Sequence, residues 1–277
     1  MRIFWLLLSL LITSDVSSKV IKTIGPQREH DKSHQYFTEL LSMALVASEV
    51  DFELQIVERQ SQYRDLQLLT DTELIDIAWT GNSDKRDEVL HRVPFPLFLG
   101  GLGVRGSIIR KDFADDYASI SSMNDLKKYV FCQGLNWPDA NILKGAGLSV
   151  YGATKFDSIL KMVELKRCDL FPLSILEGEG ELTAVKELYP DLMFSTSVLL
   201  HYQLNMFYYV KKSNTELADK VLSGLEILRD NGALYEYMKN HPLTRSAFPL
   251  NQFRHSTFLN MDGSHNQMVE QMKGKSF

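Results

Sequence analysis

Tyr129 to Leu143 read Y-V-F-C-Q-G-L-N-W-P-D-A-N-I-L. The stretch begins as a short apolar strand, Tyr129 to Cys132, and turns at Gln133-Gly134. It then enters a helix for which Pro138 is a good first residue, because the N–H that proline lacks would go unbonded there anyway. A strand, a glycine turn and a helix N-terminus together build sites in open α/β sheets. Free backbone N–H groups and the positive end of the helix point into the crevice beyond the strand. Gln133, Gly134, Trp137 and Asp139 stand at that edge. The same residues also suit an ordinary strand-to-helix connection with Trp137 over the core, and the stretch alone does not choose.

The pattern repeats outward from there. Ser122 and Asp125 make a capping box for a short helix ahead of the strand. After the Pro138 helix come a weak strand at Leu148 to Tyr151 and a helix marked by Phe156, Ile159, Leu160 and Val163. Asp169 to Leu173 form another strand. Ser174 and Glu177 read as a second capping box opening a helix to about Leu188, with Ser174 as its N-cap. Met123 to Leu188 is therefore one α/β unit.

An earlier unit has the same order. Lys19 to Ile24 is a strand, Ser33 a candidate N-cap, and Tyr36, Phe37, Leu40, Leu41, Ala44 and Leu45 recur at helical spacing. Phe52, Leu54 and Ile56 alternate as a strand, a helix covers Tyr63 to Leu69, and Leu74 to Trp79 is a nearly all-apolar third strand. Such apolar strands alternating with helices imply a mainly parallel sheet covered on both faces. Thr80 to Glu88 read as a polar loop. The Pro- and Gly-punctuated run from Val93 to Ile109 suits a crossing between units better than a helix. Met193 to Val210 is a long β-rich run and a return crossing. Leu217, Val221, Leu225 and Leu228 mark a helix that stops at Asn231-Gly232, and a short helix over Leu234 to Met238 ends at His241-Pro242. Beyond about Asn260 the polar, aperiodic sequence implies a mobile tail.

Composition narrows the function classes. The 277 residues are 44% hydrophobic and 23% charged, with a net charge of −5. That is globular composition without the basic surface a nucleic-acid binder needs. Arg2, the apolar run Ile3 to Ile12 and the small residues of Val16-Ser17-Ser18 read as a secretory signal over residues 1–18. The run is shorter than the ~20 apolar residues of a membrane span. The mature chain is expected to be soluble, exported and monomeric. Export permits a disulfide. However, Cys132 ends one expected strand and Cys168 begins another, which in a parallel sheet places them beyond the ~7 Å Cα limit for bridging. Two free thiols are expected. His30, His34, His91, His201, His241, His255 and His265 show no metal-ligand spacing. No G-x-S-x-G, H-E-x-x-H or P-loop is present, and no cofactor or metal is implied.

Two α/β units joined by two crossings behind a signal peptide resemble the type II periplasmic solute-binding proteins. The closer resemblance is to family 3, the polar amino-acid binders of ABC importers, over roughly Lys19 to His241. D-I-A-W-T-G-N-S-D-K-R resembles the family's stretch with a Ser or Thr three residues before an Arg, here Ser83 and Arg86. P-F-P-L-F-L-G-G-L-G-V-R-G-S-I-I-R-K resembles the first hinge strand. L-K-R-C-D-L-F-P and E-L-A-D-K-V-L-S-G-L-E-I-L-R-D-N-G resemble the family's second-lobe "N/G-R-x-D-x" segment and its C-terminal helix. The resemblance implies a periplasmic protein with a hinge at Leu102 to Ser107 and His201 to Met206. One lobe would combine residues from about 19 to 104 with 206 to 277, and the other would span about 105 to 205.

It also implies site residues. Arg86 would clamp a ligand carboxylate with its planar fork, beside donors from Ser83 and Thr80, while the loop at Gln133-Gly134 adds backbone N–H groups. A solvated Arg86 paired with Asp84 or Asp87 is the plainer alternative. Where amino-acid binders carry an Asp for the ligand ammonium, this chain has Ser174, and Glu177 could supply the carboxylate instead. Trp79 and Trp137 would face each other across the cleft and clamp a flat or cationic ligand, unless Trp79 is core. Arg105 either enters the cleft or pairs structurally, and Tyr202 lines the hinge side. Three functions fit: capture of a small carboxylate-bearing, amino-acid-like solute for a permease complex, sensing for a membrane receptor, or dehydratase-like chemistry with Asp139 or Glu177 as the acid.

Overall fold

Residues 18–58 and 61–274 are described by the structure, a computed structural model. Residues 1–17 of the expected secretory signal lie outside the described residues. In chain order the first elements are β1 (Lys19–Ile24), α1 (Lys32–Ala47), β2 (Phe52–Val57), α2 (Gln62–Asp71), β3 (Ile77–Gly81), α3 (Asp84–Val89) and β4 (Leu90–Arg92). Next come β5 (Val104–Arg110), α4 (Ala114–Ala118), α5 (Met123–Leu126), β6 (Val130–Gly134), α6 (Pro138–Gly145), β7 (Ser149–Ala153), α7 (Phe156–Glu164), β8 (Phe171–Ser174) and α8 (Gly178–Thr183). The chain finishes with β9 (Leu192–His201), β10 (Met206–Lys211), α9 (Thr215–Asp230), α10 (Ala233–Asn240), β11 (Thr257–Asn260) and α11 (Gln267–Met272). No described helix is long and apolar enough to cross a membrane.

One five-stranded sheet has the order β2-β1-β3-β10-β4, with β1 parallel to β2 and β3 and with β10 antiparallel to both its neighbours. A second sheet, β11-β9-β5-β8, stands with the parallel pair β6-β7, to which the Phe131–Leu170 bridge ties it. The chain passes between the two assemblies at Gly101 to Val104 and at Tyr202 to Asn205, and it passes back to the second sheet between α10 and β11. The first two crossings touch: a Cβ on Gly103 would lie 2.0 Å from the Tyr202 carbonyl oxygen. Only glycine allows that approach.

The apolar stripe of α1 buries Tyr36, Phe37, Leu40, Leu41, Ala44 and Leu45. At about 1.5–3 kcal/mol for each large side chain taken from water, this face outweighs helix propensity in fixing the orientation of α1. Helix α9 packs on it so closely that a Cβ on Gly224 would lie 1.8 Å from the Ala44 carbonyl oxygen.

Several expectations are corrected. Cys132 and Cys168 form a disulfide, with Cα atoms 5.8 Å apart. Strand β6 does not end at Cys132 but runs on to Gly134, and β8 begins only at Phe171. Cys168 lies in the segment leading into β8, which the parallel Phe131–Leu170 bridge holds alongside the first half of β6, within reach of Cys132. Asp31, not Ser33, caps α1, its carboxylate accepting from His34 N. The third strand is Ile77–Gly81 rather than Leu74 to Trp79, and Leu74 is 55% exposed. The expected polar loop after it contains α3. The long β run is broken into β9 and β10 at the second crossing. Residues past Asn260 are packed rather than aperiodic: Asn266 caps α11, and Met268, Val269 and Met272 are buried. Strand β11 joins the second sheet beside β9.

Candidate functional site

A cavity of about 80 Å3 lies between the two sheets and is lined from both sides. The first assembly contributes Arg28, Asp31, Ser33, Phe37, Gln62, Trp79 and Gly81; the second contributes Trp137, Asp139, Phe156, Glu177 and Glu181; Leu102, Arg105 and Leu204 come from the crossing region. Local sequence explains these positions. Helix α6 starts at Pro138, which puts Asp139 in its first turn facing the crevice. The crossing strand β5 buries Arg105, 3% exposed, at the cavity floor.

Charge organises the cavity. Arg105 Nη2 stands 2.5 Å from Asp139 Oδ1, which also accepts a 2.7 Å bond from the Tyr202 hydroxyl. Arg105 Nη1 is 3.6 Å from Glu177 Oε2, and its Nε finds no acceptor. Burial works against the guanidinium charge, but Asp139, Tyr202 and Glu177 outweigh it and hold Arg105 above its ordinary value. Glu177, 8% exposed, is pushed up to about 7 by burial. Arg105 pulls it back only in part, and Glu181, Asp139 and Asp31 push it further. Glu181 is fully engaged by Ser33 N at 2.7 Å, by Ser33 Oγ at 2.5 Å and by Arg28. Both cavity arginines thus face carboxylates of the chain itself, while Glu177 has, among the described residues, one distant and shared cationic partner. Trp79 packs with Phe37, ring centroids 5.4 Å apart, and forms an aromatic wall.

The sequence-derived candidates divide. Trp79, Arg105, Trp137, Asp139 and Glu177 meet at the cavity. Ser83 and Arg86 instead line a neighbouring groove of about 620 Å3 that shares Trp137 and Pro138 with it. Arg86 donates to Gly81 O, to Gln62 Oε1 at 3.1 Å and, across to the other assembly, to Asn136 O at 3.1 Å. Burial lowers its pKa. Thr80, Gln133, Gly134, Ser174 and Tyr202 line neither space. Gln133 is buried, donating to Pro172 O and accepting from Gly134 N. A Cβ on Gly134 would run into the Trp137 ring. Ser174 is not a helix cap: it ends β8, donates to Gly101 O at 3.0 Å and accepts from Leu176 N, and α8 begins only at Gly178.

Nothing in the sequence marks Arg28, Asp31 or Glu181 as cavity residues, and Ser33 lines the cavity rather than capping α1. Arg28 and Asp31 sit in a polar loop that looks solvated in sequence. Glu181 is one of several glutamates on a short helix, with no motif around it.

Among the described residues no cluster of histidine, cysteine, aspartate or glutamate is placed to hold a metal ion. No family model matches the sequence, and no curated protein matches it. Two α/β assemblies around a shared cleft, joined by paired crossings, define the type II periplasmic binding-protein fold. Solved structures with this fold include the amino-acid ABC transporter substrate-binding protein AbpA from Streptococcus pneumoniae Canada MDR_19A, bound to L-arginine. It is 18% identical with a TM-score of 0.62, over 83% of this chain and 96% of that one. A periplasmic His/Glu/Gln/Arg/opine family-binding protein from Silicibacter pomeroyi, in complex with lysine, is 14% identical with a TM-score of 0.60, over 81% and 96%. A histidine kinase sensor domain with similarity to periplasmic binding proteins is 15% identical with a TM-score of 0.58, over 81% and 95%. At these identities the likeness is one of fold.

Proposed function

We propose that this chain is the periplasmic substrate-binding protein of an ABC-type importer, and that its cleft captures a small amino-acid-like solute bearing both a carboxylate and a cationic group. Glu177 carries this reading. Among the described residues its one cation, Arg105, is shared with the nearer Asp139, so an ammonium or guanidinium on the ligand supplies the missing charge. Phe37, Trp79, Trp137 and Phe156 offer apolar, π-rich walls for the rest of the molecule. Arg86 backs the cavity behind Gly81 and Gln62, and the acceptors of its hydrogen bonds are neutral oxygens. A ligand carboxylate is a stronger acceptor for its planar fork. The arginine and lysine in the similar structures support the same direction.

A second reading has one observation behind it. An enclosed carboxyl raised to about 7 is what general-acid catalysis at neutral pH requires, and turnover of candidate acids by the purified protein would establish it. Likeness to a kinase sensor domain equally supports delivery to a membrane receptor. A thermal-shift screen of amino acids and related solutes tests capture, because a ligand of the native state raises the melting temperature. Arg86→Ala and Arg86→Lys should then bind the hit at least about tenfold more weakly, with the fold intact. Unchanged binding by Arg86→Ala would remove Arg86 from the site.

A further inference from the structure

Among the described residues, the donors to the Glu181 carboxylate all come from residues 28–33, which belong to the other side of the cleft. Glu181 sits on α8, 4% exposed, and α8 packs on β9 and β8 of the second sheet. Ser33 N and Oγ both donate to Oε1, and Arg28 donates to Oε2. Arg28 reaches further across: its guanidinium lies over the Phe156 ring, 4.0 Å from the centroid, and 3.4 Å from Asp157. The loop that presents these donors is held in shape by Asp31, whose carboxylate accepts from Gln27 N and His34 N.

We propose that Glu181, Arg28 and Ser33 form an intramolecular latch that draws the two sides of the cleft together by the chain's own charges. A buried ion pair by itself gains little, because desolvation cancels most of the attraction. Here the balance is tipped by two neutral donors from Ser33 and by stacking of Arg28 on Phe156, none of which survives separation of the sides. The consequence for ligand recognition is specific. Arg28 looks like a carboxylate receptor at the start of α1, but Glu181 fills that role, so closure at this edge asks nothing of the ligand. The inference rests on reading the cleft as one that opens and closes. It does not depend on which solute enters.

Small-angle scattering of the full mature protein without added solute tests it. In the parent the latch holds a large closed fraction. Glu181→Gln keeps the shape of the side chain and removes its charge, and Arg28→Met keeps packing against Phe156. Each should lower the closed-to-open ratio by about tenfold or more, equivalent to about 1.4 kcal/mol, and enlarge the radius of gyration. The double variant should go no further than either single, because the two residues act on one contact. Melting curves confirm that the variants fold. The latch is overturned if both folded variants scatter like the parent, if only one of them opens, or if the parent is already open. A protein that opens on these substitutions yet binds nothing in the solute screen supports the latch and defeats only the capture reading.

Discussion

Replacing Glu177 by glutamine should change the slope of stability against pH. The folded protein holds this carboxyl up to about 7, against 4.5 for the free side chain, with burial as the leading cause. Folding therefore favours the protonated form. The stabilisation is complete below about pH 4.5, where both states carry the proton, and is lost as pH rises through about 7. At about 1.4 kcal/mol per pH unit, the gap between 4.5 and about 7 amounts to about 3 kcal/mol. Glutamine has no such proton. Urea unfolding of the parent and of Glu177→Gln at intervals from pH 4.5 to 8.5 reads the effect directly. The stability of the variant relative to the parent should climb by about 3 kcal/mol across the window and level off above about pH 8. Two curves that stay parallel would refute the claim that Glu177 is a buried carboxyl short of a partner.

Three other outcomes follow from the packing. Replacing Cys132 and Cys168 together with alanine opens a link between residues 36 apart and should cost about 3–4 kcal/mol in urea unfolding; an unchanged midpoint would mean the link adds no stability. Gly224→Ala should cost at least about 1–3 kcal/mol and lower the melting temperature, since its methyl group would meet the Ala44 carbonyl between α1 and α9; a neutral result would show that the two helices can part. Ser174→Ala should cost about 1–3 kcal/mol by leaving Gly101 O and Leu176 N short of a partner, with ligand affinity unchanged in calorimetric titration.

Periodicity made most of the architecture legible. The apolar stripe of α1, the alternation in β2 and the stop of α9 at Asn231-Gly232 are local signals, and the structure has each element where they point. Signals that depend on partners distant in sequence mislead. The disulfide follows from the register of β6 against residues 168–170, which no strand pattern reveals. Ser174 and Glu177 have the spacing of a capping box, yet β8 continues through Ser174 because its hydroxyl has a better partner in Gly101 O. Polar residues 261–273 lack a long period, but Met268, Val269 and Met272 still bury one face of a short helix. The cavity was half legible for a related reason. Trp137 and Asp139 stand at a helix start and Arg105 at the start of a crossing strand, where sites form, and Trp79 is an aromatic in an apolar strand. Arg28 and Glu181 matter only because folding brings them together from 153 positions apart.

Calorimetric titration at pH 8 with a charge-deleted ligand series addresses the central claim most directly. The series comprises L-arginine and L-lysine, the matching amines without the α-carboxylate, and the matching carboxylic acids without the side-chain cation. The account predicts that at least one intact amino acid binds one to one, and that loss of either charged end weakens it by tenfold or more. Equal binding of the carboxylate-free amine or of the cation-free acid, or no binding by any member, would contradict it.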